Sequence, residues 1–140
     1  MENLRRQYND NVQKFKADFA DCSDFLLKEA ETGGRKCFFA VMDGLVDSLQ
    51  LGQMIMGPVL GAQVEACTPD EQFRQLMRTC VQSVELKEAK TFEDAYYYLM
   101  SGFCVFVLDG CPRAMVMGIQ GWTKRSTDEP ESESNVRGAK

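Results

Sequence analysis

Two apolar runs of the same form dominate the pattern of this chain. Cys104 to Leu108 is apolar at every position, which suits a strand covered on both faces, and Asp109-Gly110 with Pro112 supplies a turn before a second apolar run, Ala114 to Ile119. A buried hairpin within Phe103 to Trp122 is therefore expected at the centre of the core. Earlier, Lys36 to Met42 is also a short apolar run, and it too stops at an Asp-Gly pair, Asp43-Gly44. Two core strands ending in this way predict one sheet with both Asp-Gly loops on the same side.

The other elements follow from periodicity and capping. Leu4, Tyr8, Val12, Phe15 and Phe19 recur at steps of three and four, predicting a helix whose apolar stripe covers the sheet edge or packs on a neighbour. Phe25 to Ala30 reads as a strand, turning at Gly33-Gly34 to pair antiparallel with Lys36 to Met42. Asp47 is placed to cap a helix over Ser48 to Met56 that Gly57-Pro58 should end. Thr68-Pro69-Asp70-Glu71 has capping-box spacing, and Phe73, Leu76, Met77 and Cys80 form the stripe of the helix it opens. Val84 to Lys87 alternates as a half-buried strand near the sheet edge. Thr91 caps a helix from Phe92 to Met100, and Gly102 stands where a left-handed residue ends it. The expected fold is α/β of the α+β kind: a single domain over residues 1–122 with a mixed sheet of about five strands and about four helices, then a polar tail over 123–140.

Composition narrows the function more than the fold. A net charge of −5 without a basic stripe disfavours nucleic-acid binding. No apolar run approaches the length of a membrane helix, and Glu2 to Arg6 open the chain without a secretory signal. The six cysteines form no Cys-x-x-Cys pair and there is no histidine, so zinc spacing fails and reduced structural thiols in a reducing interior are expected. Without histidine there is no Ser-His or Cys-His pair, and no Gly-x-x-x-x-Gly-Lys loop is present. Asp43 and Asp109 would form an acid–base pair only if their strand ends were adjacent; an Asp before Gly more often makes its own turn. Tyr96, Tyr97 and Tyr98 span too much of a helical turn for all three to be buried. Neither a catalytic site nor a cofactor or metal site is expected.

The tail holds the most specific signal. Gly121-Trp122 leads into Arg125-Ser126, Glu129-Pro130, Ser132-Glu133 and Val136-Arg137-Gly138. This order resembles the signature of the spore germination receptor A-subunit family, the GerA family, in which a tryptophan-containing segment runs into an Arg-Ser, Glu-Pro, Glu, Arg-Gly-Pro series. Asp43-Gly44-Leu45-Val46-Asp47 and Leu108-Asp109-Gly110 are similar to that family's strand-end motifs. The chain departs from the pattern at Ala139, where the family usually has proline. The resemblance implies the first subdomain of a soluble N-terminal region, followed in a longer protein by a second subdomain and membrane spans. By the same resemblance the protein sits at the spore inner membrane with this domain facing the reducing interior. Implied partners are an integral membrane B-subunit, a lipoprotein C-subunit, further A-subunits and a small nutrient germinant. Asp43, Gly44, Asp109, Gly110, Trp122, Arg125, Ser126, Glu129, Pro130, Glu133, Arg137 and Gly138 are the interaction candidates. An assembly module without ligand binding, a spore membrane homologue without a direct germinant role, and a free-standing small-molecule-binding protein or enzyme stay open as alternatives.

Overall fold

The expected hairpin forms the middle of the molecule. A computed structural model describes residues 2–46, 51–61, 68–79 and 85–118. Strands β1 (Phe25–Thr32), β2 (Arg35–Met42), β3 (Glu85–Ala89), β4 (Phe103–Leu108) and β5 (Ala114–Gly118) build one sheet in the order β1-β2-β4-β5-β3. β4 is central, and its apolar residues alternate between two separate cores. Val105 and Val107 point to one face, with Phe38 and Ala40 of β2, against α1 (Tyr8–Asp18) and α4 (Phe92–Met100). Cys104, Phe106 and Leu108 point to the other, with Phe39 and Val41, against a π-helical segment (Leu51–Met56), α2 (Gly57–Leu60) and α3 (Pro69–Thr79). A strand apolar at every position is thus the centre of a helix–sheet–helix sandwich. Phe38, Phe39 and Phe106 are fully buried, and each contributes about 1.5–3 kcal/mol over exposure.

All the strand pairings are antiparallel, where a mixed sheet was expected. A strand–helix–strand unit ordinarily sets parallel strands side by side. Here β3 and β4 do run parallel, but β5 returns from the hairpin into the slot between them and pairs with both. A second correction concerns the Asp-Gly loops. Because β2 and β4 are antiparallel neighbours, with Cys37 opposite Leu108 and Ala40 opposite Val105, strands that each stop at Asp-Gly place those stops at opposite ends of the sheet.

The local signals hold where the chain supplies its own chemistry. Gly33 (φ 58°) and Gly34 (φ 81°) make the two-residue hairpin joining Thr32 to Arg35. The Thr91 hydroxyl accepts the Asp94 N–H at 3.0 Å, and Gly102 closes α4 at φ 95°. Thr68 caps α3 by accepting the Glu71 N–H at 3.2 Å, and its hydroxyl donates to the Glu71 carboxylate at 3.2 Å. Gly57-Pro58, in contrast, does not end its helix: the π-helical segment passes into α2 through it. Pro58 stands in the first turn of α2, where a missing N–H costs least, so the pair changes the helix pitch instead of stopping it. The expected Asp47 cap and the helix start at Ser48 lie outside the described residues, as do Cys67, Cys80, Val84 and Ile119.

The N-terminal stripe is buried against the sheet, but not where it was expected, and α1 begins only at Tyr8. Leu4 precedes it and is buried, its N–H donating to Lys90 C=O at 2.9 Å. The stripe covers the middle of the sheet, not its edge. The edges are β1 and β3, whose exposed positions include Lys28, Glu29 and Glu31 on β1 and Glu85, Lys87 and Glu88 on β3.

Both Asp-Gly pairs adopt the same turn. Leu45 N–H donates to Met42 C=O and Cys111 N–H to Leu108 C=O, each at 3.1 Å, with Gly44 (φ 90°) and Gly110 (φ 86°) at the third position, where a type II turn demands positive φ. Their surroundings differ. A Cβ at Gly44 meets nothing within 4 Å, whereas one at Gly110 would stand 2.6 Å from Pro69 Cγ. Gly44→Ala should therefore cost only the left-handed conformation, about 1–2 kcal/mol. Gly110→Ala should lose a further ~1–3 kcal/mol from the collision with the start of α3. Urea unfolding midpoints of the two variants measure the difference, and equal midpoints would contradict this account.

Candidate functional site

The row of residues Phe25, Met42, Phe103 and Gly118 marks one end of the sheet: Phe25 pairs with Met42, Phe103 pairs with Gly118, and the β2–β4 register continued past Ala40 sets Met42 opposite Phe103. Beyond this row lies the Asp43-Gly44 turn. Asp43 N–H donates to Asp24 C=O at 2.7 Å, which ties the turn to the loop after α1. An open hollow of 450 Å³ forms there, walled by Phe19, Cys22, Met42, Leu45 and Met100, with Asp24, Asp43 and Gly44 also lining it. Leu45 is 46% and Met100 61% exposed, and Tyr97, one turn back on α4, is 67% exposed. This end therefore presents apolar surface with acidic groups beside it.

The opposite end is polar and tightly tied. Asp109 N–H donates to Lys36 C=O at 2.8 Å. Gly110 N–H donates to Arg6 C=O at 2.9 Å while the Arg6 guanidinium donates to Gly110 C=O at 3.0 Å, so the hairpin turn and the segment before α1 clasp each other. Arg6 also lies 3.7 Å from the Asp70 carboxylate. Arg113 joins Asp70 at 3.9 Å, donates to Glu88 at 2.9 Å and stacks its guanidinium 4.8 Å from the centre of the Phe73 ring. Close by, the Tyr8 hydroxyl sits 2.8 Å from a Glu29 carboxylate oxygen and 3.0 Å from Cys37 C=O. Gln7, Tyr8, Asn9, Lys36 and Asp109 line a smaller hollow of 240 Å³.

Asp43 and Asp109 cannot share a proton. Asp109 is paired with Lys36, seven residues before Asp43 on an extended strand, a separation of about 23 Å. Each carboxylate instead belongs to a turn. Among the described residues no group of three or more His, Cys, Asp or Glu is placed to hold a metal ion. Trp122, Arg125, Ser126, Glu129, Pro130, Glu133, Arg137 and Gly138 lie outside the described residues. The cluster of Arg6, Tyr8, Asp70, Glu88 and Arg113 was not legible beforehand, since no periodicity or spacing joins residues from four separate segments of the chain.

The tyrosines divide as their spacing requires. Tyr96 packs edge-on against Phe15 and Phe19, and its hydroxyl donates to the Asp18 carboxylate at 2.5 Å. That hydrogen bond holds the Asp18 carboxyl below the ordinary carboxylate range, with Lys14 reinforcing it. Tyr98 packs on Phe103, and Tyr97 faces outward.

A five-stranded antiparallel sheet with helices on both faces defines the class, an α+β domain. The N-terminal domain of the A subunit of the Bacillus megaterium spore germinant receptor GerK3 shares this fold, with a TM-score of 0.64 and 19% identity over 86% of this chain and 49% of that one. The family model described as Bacillus/Clostridium GerA spore germination protein matches residues 13–140, and the chain belongs to that family. Among its relatives, spore germination protein KA of Bacillus subtilis (strain 168) is 24% identical over 91% of this chain and 24% of its own length. The uncharacterized membrane protein YfkQ of the same organism is 28% identical over 85% of this chain and 23% of its own length. The chain thus spans about a quarter of the length of these curated relatives. No helix among the described residues is long and apolar enough to cross a membrane.

Cys22, Cys37, Cys104 and Cys111 are free thiols. Burial, with Glu31 adding to it, pushes the Cys37 thiol up to about 12, and burial also raises Cys104 and Cys111. A group raised on folding contributes stability that is complete below its unfolded pKa, ~8.5 for a thiol, and is lost as pH climbs toward the folded value. The melting temperature should therefore fall as pH rises above about 8.5. In the folded protein at neutral pH, iodoacetamide should modify Cys37, Cys104 and Cys111 far more slowly than in urea. Peptide mass mapping of the alkylated sites checks this, and fast native labelling of Cys104 would refute it.

Proposed function

We propose that this chain is the N-terminal sensing and assembly domain of a spore germinant receptor subunit, working within a longer membrane-anchored protein at the spore inner membrane. The observation that carries the reading is the family match across residues 13–140, which takes in both Asp-Gly turns and the whole tail motif. The shared fold with a germinant receptor A-subunit domain supports it. In this reading the domain takes part in the response to small nutrient molecules and contacts an integral membrane B-subunit, a lipoprotein C-subunit and further A-subunits.

The exposed apolar side chains at the Asp43 end favour a second reading beside the first, in which the domain serves assembly alone and nutrient is sensed elsewhere. Deleting the gene separates a receptor role from an unrelated one. Spores without it should lose the response to at least one nutrient in a panel of amino acids and sugars; an unchanged response to every nutrient would overturn the proposal. Calorimetric titration of the domain with that panel then divides sensing, which requires binding, from assembly alone.

The tail motif acts in this scheme as a strap between this domain and the remainder of the full-length protein. Arg125, Glu129, Glu133 and Arg137 are spaced so that an ordered neighbour can pair with several at once through charge-assisted hydrogen bonds. Exposed pairs of this kind contribute about 0–1 kcal/mol to folding, so the strap matters for assembly and little for the fold. Arg137→Ala should leave the melting temperature of the chain nearly unchanged while lowering germination or subunit retention in spores carrying the full-length protein. Untouched germination and subunit levels, or an unfolded domain, would refute the strap.

A further inference from the structure

The hollow at the Asp43 end lies where the described chain leaves the sheet. β5 finishes at Gly118, in the same row as Phe103 and Met42, so the strand exit and the hollow's wall share one end of the sheet. Two strand spacings separate them, about 9.5 Å. Four residues on stands Trp122, the single tryptophan of the chain. Four extended residues reach about 13–14 Å, enough to bring that side chain across β4 to the hollow.

We propose that the indole of Trp122 seats in the hollow between Leu45 and Met100 and closes the domain on its own C-terminal segment. The chemistry of the site matches one flat apolar side chain with one donor. Its walls are Phe19, Cys22, Met42, Leu45 and Met100, and Asp24 and Asp43 also line it, residues whose carboxylates can accept from an indole N–H, which can only donate. Methionine and aromatic walls suit an aromatic guest, because thioether sulfur and ring edges both pack favourably against a π-face. Its volume of 450 Å³ falls within the range of about 300–1,000 Å³ of small-molecule clefts, ample for one indole. Both exposed apolar side chains of the rim, Leu45 and Met100, would then be covered by the chain itself. Trp122 would also fix where the tail motif starts, since Arg125 comes three residues later.

Fluorescence of the purified chain tests this directly, because the one tryptophan is the only indole reporting. The emission should be blue-shifted and the acrylamide quenching constant several-fold below that of the urea-unfolded chain, at every concentration of a dilution series. Leu45→Asp should restore solvent-like emission and quenching while circular dichroism shows the fold intact. Met100→Gln, at an exposed position ending α4, should do the same and stands in should Leu45→Asp unfold. Solvent-like emission of the parent chain overturns the proposal. Protection that vanishes on dilution overturns it in favour of a second copy as the occupant, and protection that survives both substitutions overturns it by placing the indole elsewhere.

Discussion

Double-sided burial of one strand is the constraint on which the molecule depends. β4 touches a separate core on each face, so neither helical layer can be removed without exposing half of its side chains to water. Because β4 also pairs on both edges, with β2 and β5, its backbone groups are satisfied only while the sheet is whole. The clasp at Gly110 and the cap at Thr68 are downstream of this. They fix the angle at which the N-terminal segment and α3 meet a sheet already held by Phe38, Phe39 and Phe106.

The same dipeptide serves two purposes at the two ends. Asp43-Gly44 and Asp109-Gly110 make equivalent turns, yet one is enclosed by Arg6 and Pro69 and the other stands clear beside an apolar hollow. The enclosed turn is structural in the plain sense that a methyl group does not fit. The open one borders a hollow that a further side chain can fill. This division arises from the antiparallel pairing of β2 with β4, which forces like sequence signals to unlike surroundings.

What could be read beforehand was local. Continuous apolarity placed β4 at the centre, Thr91 and Thr68 announced their helices through side-chain acceptors, and Gly33-Gly34 and Gly102 marked positions where only positive φ serves. What could not be read was relational. Whether β3 adjoins β4 or lies one strand away is decided by where β5 returns, and an apolar five-residue run carries no mark of its neighbour. The clasp of Arg6 with Gly110 closes 104 residues of chain, a distance over which no pattern speaks. Gly57-Pro58 misleads because a proline in a first helical turn and a proline after a last one look alike in sequence. The tail motif was legible as a family signature and silent as to geometry.

The edge strand β1 carries a further consequence. Two copies joined by a twofold axis through β1 would have to set each residue opposite one of like parity, since directly facing residues share a face of the sheet. The two longest such registers are centred on Lys28 and on Glu29, and each puts that charge against its own symmetry mate. An edge strand can template sheet growth, and like charges set directly opposite one another oppose that growth through a second copy of β1. A strand of different sequence, with no charge at these positions, would meet no such opposition.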